Sequence, residues 1–141
     1  MNTFKEDLEV GVSVENILLE RIQKKYPCAT LINKFKGYDI WIPEKHQSLE
    51  VKSDQKSNHT GNMVVEIEMY DKPSGLMCTT ADWWVFYDGA VFVKIKPMEI
   101  VRCIFDNKLV HTEFVGNGDT KAKKAFLIKK DILFKYGVEF H

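Results

Sequence analysis

The chain has 141 residues, of which 45% are hydrophobic and 28% charged, and its 20 basic residues balance its 20 acidic ones. This composition predicts one soluble globular domain spanning residues 1–141. The balanced charge argues against a protein that coats nucleic acid by charge alone. No apolar run is long enough to cross a bilayer, and the N-terminus lacks the features of a signal peptide, so we expect a cytoplasmic protein without a membrane partner.

The first predicted element is an amphipathic helix from Phe4 to Tyr26, which Pro27 ends. Its apolar residues fall on one stripe, at spacings of three, four or seven. The stripe consists of Leu8, Val12, Leu19, Ile22 and Tyr26. Glu15 lies on the same stripe, where a buried carboxylate would need a partner. This position makes Glu15 a candidate functional residue.

Short β-rich runs follow the helix. They cover Ala29 to Phe35, Tyr38 to Ile42, Ser48 to Ser53 and, after a polar loop, Met63 to Met69. The segment from Pro43 to Gln47 is typical of a turn between the second and third runs. These runs predict the first strands of a sheet.

The second half of the chain mixes predicted helices and strands. A pattern resembling a capping box, from Thr79 to Asp82, predicts a short helix that enters Trp83 and Trp84. Further predicted elements are strands at Val85 to Tyr87 and Val91 to Ile95, and helices at Pro97 to Phe105 and Lys129 to Tyr136. The whole order predicts an α/β fold around one mixed sheet.

The most informative residues are Asp39 on the second run and Glu50 and Lys52 on the third. Glu50 and Lys52 are two apart on a strand, so they share a face. A four-residue turn flanked by Pro43 and Ser48 would place Asp39 opposite Lys52 and Trp41 opposite Glu50. Two acids and one lysine would then converge, with Glu15 as a fourth member from a helix covering that face.

Such a cluster suits hydrolysis of a phosphodiester. Mg²⁺ prefers carboxylate oxygens and water, and Asp39, Glu50 and the carbonyl of Val51 could hold it, with Mn²⁺ as a substitute. Lys52 could orient the attacking water and offset charge on the phosphate. Glu15 could bind the ion directly or through water, or support a second ion. The alternative is a surface hairpin that carries an ordinary ion pair.

Glu15 on a helix, Asp39 and the Glu50-Val51-Lys52 segment resemble the PD-(D/E)XK nuclease superfamily. This superfamily includes restriction endonucleases, Holliday-junction resolvases and small phage nucleases, and the resemblance covers about two-thirds of the chain. It implies an αβββαβ restriction-endonuclease-like core, with Asp39, Glu50 and Lys52 catalytic and Glu15 matching the helical glutamate of resolvase-like members. One departure is that Tyr38, rather than proline, precedes Asp39.

The resemblance implies DNA as the partner and a role in DNA recombination, and its likeness to phage members suggests a phage-encoded protein acting in the host cytoplasm. Gln55 and Lys56 could contact phosphate, and Lys121, Lys123 and Lys124 form a candidate phosphate-contacting patch. Thr79 and Thr80 could donate to phosphate or simply cap a helix. The run from Trp83 to Tyr87 could stack bases or be buried.

The sequence thus predicts a Mg²⁺-dependent DNA endonuclease, with branched DNA or a Holliday junction among its candidate substrates. A resolvase would act as a two-fold homodimer, because it cuts two strands symmetrically. One alternative is a nucleic-acid-binding protein that keeps the fold without activity. Another is an interaction module with no nucleic-acid partner. The complete set of two acids and a lysine favours the enzyme.

Overall fold

The computed structural model of the chain describes residues 4–32, 37–53, 60–114 and 123–140, with the side chains of the first helix described from Val14 onward. The described helices are α1 (Phe4–Gln23), α2 (Pro97–Asp106) and α3 (Lys130–Leu133). The described strands are β1 (Thr30–Leu31), β2 (Ile40–Ile42), β3 (Gln47–Ser53), β4 (Asn62–Met69), β5 (Lys72–Pro73), β6 (Trp83–Tyr87), β7 (Phe92–Ile95), β8 (Thr112–Phe114), β9 (Lys123–Lys129) and β10 (Val138–Phe140). Short 3-10 helices cover Pro43–Lys45, Gly75–Met77 and Phe134–Tyr136.

The strands form two sheets. The first has six strands in the order β1-β2-β3-β6-β7-β10, and the second has four in the order β5-β4-β9-β8. Within the first sheet β3 and β6 are parallel, whereas the other neighbours are antiparallel. The sheet is therefore mixed, as the sequence predicted, and the α/β class is confirmed. The second sheet was not predicted.

A different core packs on each face of the six-stranded sheet. On one face, Val14, Leu18 and Ile22 of α1 pack against Ile40 and Leu49. This spacing of four residues is one stripe of a helix. The predicted stripe was displaced, because it omitted Val14 and Leu18. Each fully buried aliphatic side chain of this kind contributes on the order of 1.5–3 kcal/mol.

The opposite face of the six-stranded sheet packs against the four-stranded sheet and α2. Trp84 and Phe86 are fully buried there, with Met63 of β4 and Ile100 of α2 among their neighbours in the core. Aromatic side chains bury the largest area per residue, so Trp84 and Phe86 dominate this core. The burial of these two rings favours the packing interpretation of this segment over the base-stacking one.

The capping-box prediction was wrong. Trp83–Tyr87 is strand β6, and Thr79 to Asp82 lead into it without helix. Asp82 does not cap a helix; its carboxylate accepts hydrogen bonds from the amide and hydroxyl of Ser48, at 2.8 and 3.1 Å. A contact distant in sequence therefore overrides the local pattern.

Other predicted elements hold with shifted ends. The helix at Pro97 is confirmed as α2, and the closing helix is confirmed as α3 with the 3-10 turn that follows it. In the described part of the chain, β4 and β5 lie between β3 and β6, and residues 54–59 lie outside it. The restriction-endonuclease-like core therefore stays a prediction. None of the described helices has the length and apolar character to cross a bilayer.

Candidate active site

The pairing of β2 with β3 decides which side chains meet. Ile40 lies opposite Leu49 and Trp41 opposite Ser48, so the predicted register, with Trp41 opposite Glu50, is displaced by two residues. The connection has four residues, as predicted, but it begins one residue earlier, because Pro43–Lys45 forms a 3-10 turn and His46, at φ 50°, ends it in the left-handed region. Because side chains alternate with a period of two, this displacement leaves the same faces in register.

Asp39 lies next to Ile40, and its amide donates to the carbonyl of Leu49 at 2.8 Å. The paired register ends at Ile40 opposite Leu49, and Asp39 lies just beyond this last pair, across from Leu49 rather than from Lys52. The predicted opposition of Asp39 and Lys52 was wrong, but the predicted meeting of the two strands at this point holds. Asp39 and Glu50 are both half-buried.

A short hydrogen bond ties Asp39 to β3. The amide of Val51 donates to Oδ2 of Asp39 at 2.7 Å. In a strand, the N–H and C=O of one residue point toward the same edge. The carbonyl of Val51 is therefore directed toward the side of Asp39, where the ladder between β2 and β3 has ended. From this geometry we expect the carboxylate of Asp39 and the carbonyl of Val51 to lie on the same side of β3.

Glu50 and Lys52 point to the face opposite α1, the face of Trp84. Nζ of Lys52 lies 3.2 Å from Oε1 of Glu50 and 5.0 Å from the centre of the Trp84 ring. The side chains of Lys52 and Glu50 are 37% and 21% exposed, so the ion pair is reachable from solvent yet partly shielded from it. A cation over an indole face is held by the ring as well as by its carboxylate partner.

A cavity of about 150 Å³, here called the Glu50 cavity, opens beside this pair. Its walls include Glu50, Lys52, Glu66, Gly75, Thr79 and Trp84. Gly75 closes one side at a φ of 52°, and a Cβ there would lie 2.3 Å from the carbonyl oxygen of Glu66. Only glycine allows this close approach of the 3-10 turn to β4. The cavity is therefore built from both sheets.

The three carboxylates of the cluster have raised pKa values. Burial raises the pKa of Asp39, against the opposing effects of the Val51 amide and of Lys52. Burial also raises the pKa of Glu50; Lys52 opposes this increase and the charge of Asp39 adds to it. One lysine thus faces several carboxylates in a partly desolvated place. Such a surplus of negative charge attracts a cation.

The charges of Asp39 and Glu50 act on Glu15 as well, but Glu15 is on α1, which packs on the opposite face of the six-stranded sheet. Its helix packs on the Leu49 face, so the prediction that this helix covers the face of Glu50 and Lys52 was wrong. Burial raises the pKa of Glu15 to about 7, and the charges of Asp39 and Glu50 contribute. At neutral pH, Glu15 therefore holds a proton more readily than an ordinary glutamate does.

Replacing Glu15 by glutamine tests this coupling. Between the ordinary pKa of 4.5 and about 7, the folded chain binds the Glu15 proton more tightly than the unfolded chain does. The free energy of unfolding of the wild type therefore falls as the pH rises through this window, and the loss is complete above it. After allowance for partial exposure, we expect Glu15→Gln to be more stable than the wild type by about 1 kcal/mol near pH 8.

The measurement is urea unfolding of wild type and Glu15→Gln without metal, at several pH values. The two proteins should converge near pH 4, where Glu15 is protonated in both states. Glu20→Gln is the matched control, since Glu20 is exposed on the same helix. Parallel stability curves for the wild type and Glu15→Gln would contradict the coupling.

The oxygen donors of the site fit a hard divalent cation. Mg²⁺ is commonly held by one or two carboxylates while it keeps several waters. Asp39 and Glu50 supply two carboxylates, and the carbonyl of Val51 supplies a third oxygen. Within the described ranges, no group of three or more His, Cys, Asp or Glu side chains is arranged to hold a metal ion. Glu15 is thus not gathered with the other two acids into one such set, and its role as a ligand stays a prediction.

The predicted DNA-contacting residues lie only partly within the described structure. Gln55, Lys56 and Lys121 fall outside the described residues. Lys123 and Lys124 are on β9 of the second sheet, and Nζ of Lys124 lies 3.5 Å from a carboxylate oxygen of Glu68. This ion pair offsets part of the positive charge, so the lysine patch stays a prediction.

No protein-family model matches the chain, and no curated protein matches it. The membership in the PD-(D/E)XK superfamily therefore stays a prediction from the residues themselves.

Sequence reasoning did not bring Glu66, Trp84 and Thr79 together at one cavity. Glu66 was predicted only as part of a strand, and Trp84 either as a base-stacking or as a buried residue. Thr79 was predicted to donate to phosphate or to cap a helix, and its hydroxyl accepts a hydrogen bond from Nε1 of Trp84 at 2.9 Å. No local signal could have identified them, because the cavity forms only when the two sheets pack together.

Proposed function

We propose that the chain is a metal-dependent DNA endonuclease that hydrolyses phosphodiester bonds through Asp39, Glu50 and Lys52. The observation that carries this proposal is the bond from the Val51 amide to Asp39, at 2.7 Å, on the strand that bears Glu50 and Lys52. It joins an acid that immediately precedes β2 to the strand that carries an acid and a lysine, β3. Phosphodiester hydrolysis needs this combination of metal-binding carboxylates and a cation beside an open cavity.

Each residue has a distinct role in this proposal. Asp39, Glu50 and the carbonyl of Val51 would hold the cation, and Mg²⁺ bound there supplies Lewis-acid stabilisation of charge on the phosphate. Lys52 orients the attacking water and offsets the negative charge that develops during attack. Glu15, with a pKa of about 7, can accept or release a proton at neutral pH.

A panel of labelled DNAs tests the proposal. Linear duplex, single strand, flap and four-way junction are incubated with Mg²⁺, with Mn²⁺ or with EDTA. We expect cleavage of at least one substrate in either metal and none in EDTA. Lys52→Met, purified identically, is the control for a contaminating nuclease. Absence of cleavage on every substrate in both metals would contradict the enzymatic proposal.

The same panel addresses the predicted preference for branched DNA and the homodimer. Paired cuts in opposite strands of a four-way junction require two active sites related by two-fold symmetry. Sedimentation of the protein with and without the junction measures the number of copies. A monomer that nicks only linear DNA would leave the endonuclease proposal intact and remove the resolvase one.

One observation favours the second candidate, an inactive protein that only binds nucleic acid. The ion pair between Lys52 and Glu50 neutralises one carboxylate without any metal. A protein of this kind would bind the DNA panel without cutting it, and Mg²⁺ would not raise its melting temperature. The two functions are therefore distinguished by cleavage and by metal-dependent stability.

A further inference from the structure

A second cavity adjoins the Glu50 cavity. It measures about 320 Å³, is called the Lys96 cavity here, and its walls include Thr79, Thr80, Asp82, Lys96, Pro97 and Met98. Thr79 lines both cavities. The two spaces therefore meet at one side chain, at the end of the sheet where β6 begins.

The hydroxyl of Thr79 is left with a proton to donate. A hydroxyl has one proton and two lone pairs. Thr79 Oγ1 accepts from Nε1 of Trp84 at 2.9 Å and from the amide of Ala81 at 3.2 Å, so both lone pairs are engaged. No residue in the described part of the chain accepts its proton. This donor lies on the boundary between the two cavities, where an anionic oxygen would satisfy it.

Lys96 brings a positive charge to the second cavity. Its Nζ lies 5.2 Å from the centre of the Trp83 ring, which gives the side chain a preferred position. None of the ion pairs among the described residues includes Lys96, whereas Lys52, Lys124 and Lys130 are each paired with a carboxylate. Lys96 also precedes the first turn of α2, whose dipole favours an anion.

One acid, Asp82, lines the Lys96 cavity as well. Its Oδ2 is occupied by the amide and hydroxyl of Ser48, at 2.8 and 3.1 Å. These two donors draw the carboxylate toward β3. Thr80, another wall residue of the Lys96 cavity, donates its hydroxyl proton to the carbonyl of Gly37 at 3.3 Å. Among the wall side chains, the donors that no described acceptor engages are then the ammonium of Lys96, which lies over the Trp83 ring, and the hydroxyl of Thr79.

We propose that the Lys96 cavity is a phosphate subsite that binds the phosphodiester adjacent to the scissile one on the same DNA strand. Lys96 is its cationic contact, and the Thr79 hydroxyl donates at the boundary with the Glu50 cavity. This inference rests on the proposed endonuclease function, because it places the scissile phosphate in the Glu50 cavity. It gives the strand a path around the start of β6.

The test measures binding of a fluorescein-labelled DNA duplex by anisotropy at several salt concentrations, in a Lys52→Met background with Mg²⁺. Adding Lys96→Met should weaken binding about 3- to 10-fold at low salt and reduce the magnitude of the slope of log affinity against log salt by about 0.9, the amount for one phosphate contact. Lys135→Met is the matched control, since Lys135 is also exposed and unpaired among the described ion pairs. Lys135 is on the 3-10 turn Phe134–Tyr136 and lines neither cavity, so this replacement should change neither quantity.

Thr79 is tested in the cleavage-competent chain. Thr79→Ala should raise KM about fivefold with a smaller change in kcat, consistent with a lost hydrogen bond to a charged group. Thr79→Ser keeps the hydroxyl and should restore KM. If Thr79→Ala does not fold, the subsite is tested by two other measurements. These are the salt dependence of DNA affinity in Lys96→Met and the KM of Thr79→Ser.

The results of these experiments distinguish failure of the phosphate-subsite proposal from failure of the endonuclease proposal. A wild-type chain that neither binds nor cleaves DNA removes the endonuclease proposal and the subsite with it. DNA binding by the background protein that Lys96→Met leaves unchanged in affinity and salt slope overturns the subsite alone. A loss with Lys135→Met equal to that with Lys96→Met also overturns it, since the contact would then be diffuse.

Discussion

Replacing Lys52 by methionine is expected to slow DNA cleavage by about 10²–10⁴-fold, the usual contribution of a positioned proton-transfer or charge-stabilising group. Methionine keeps an unbranched side chain over the Trp84 ring and removes only the ammonium group. Because Lys52 lowers the pKa of Glu50, its loss also favours protonation of that acid. The variant should therefore lose activity through two effects with the same sign.

The stability of Lys52→Met should change little. The ion pair with Glu50 is partly exposed, and such pairs contribute roughly 0–1 kcal/mol. Single-turnover cleavage of the best substrate, with melting temperature measured in parallel, checks both statements. Arg102→Met is the matched control, since Arg102 pairs with Glu99 at 3.3 Å on the surface of α2. Cleavage by Lys52→Met at the wild-type rate would end the assignment of Lys52 as catalytic.

Neutralising Asp39 and Glu50 together should abolish the stabilisation by metal. Because burial raises the pKa of both acids, their charges destabilise the metal-free fold, and Asp39→Asn with Glu50→Gln should stabilise it. The carbonyl oxygen of the introduced asparagine can still accept the Val51 amide, so the link between β2 and β3 is preserved. Cleavage should fall at least about 10²-fold, because the remaining oxygens hold the cation poorly.

The decisive readout is the melting temperature with and without Mg²⁺. A ligand at about 100 times its Kd stabilises the folded state by about 2.7 kcal/mol. We expect such a shift in the wild type and almost none in the double variant. Glu99→Gln, which neutralises an acid of another ion pair, should keep the wild-type shift. A double variant that retains the full Mg²⁺ shift would contradict the ligand roles of Asp39 and Glu50.

The faces of the active-site strands were predictable because side-chain alternation is a local property. Glu50 and Lys52 had to share a face once β3 was a strand, and Leu49 had to face the core. The register was not predictable to the residue. It depends on a 3-10 turn and on the left-handed conformation of His46, which the residue types between Pro43 and Gln47 do not determine. The two-residue error preserved the faces and changed only the opposed pairs.

The environment of Glu15 was predictable only in part. Its place on an apolar stripe indicated a carboxylate in need of a partner, and its raised pKa and coupling to Asp39 and Glu50 agree with this. The face of the six-stranded sheet on which its helix, α1, packs was not predictable. That depends on which face α1 covers, and the pattern of α1 fits either face.

The second sheet and the two cavities could not be predicted from the sequence, for a different reason. The cavity walls join residues distant along the chain, such as Glu50, Gly75 and Thr79, and a pattern over neighbouring residues carries no information on such contacts. Thr79 shows the consequence most clearly. Its bond with Trp84 and the bond of Asp82 with Ser48 replaced the helix cap that the local sequence suggested.

The proposed convergence of Asp39, Glu50 and the Val51 carbonyl on one divalent cation can be tested directly. The measurement is anomalous diffraction at the manganese edge from crystals of the protein soaked in Mn²⁺. We predict a peak roughly 2.0–2.3 Å from oxygens of all three residues, as expected for a small hard cation. A strong peak elsewhere on the chain, with none between ordered Asp39 and Glu50 side chains, would contradict the metal-dependent mechanism.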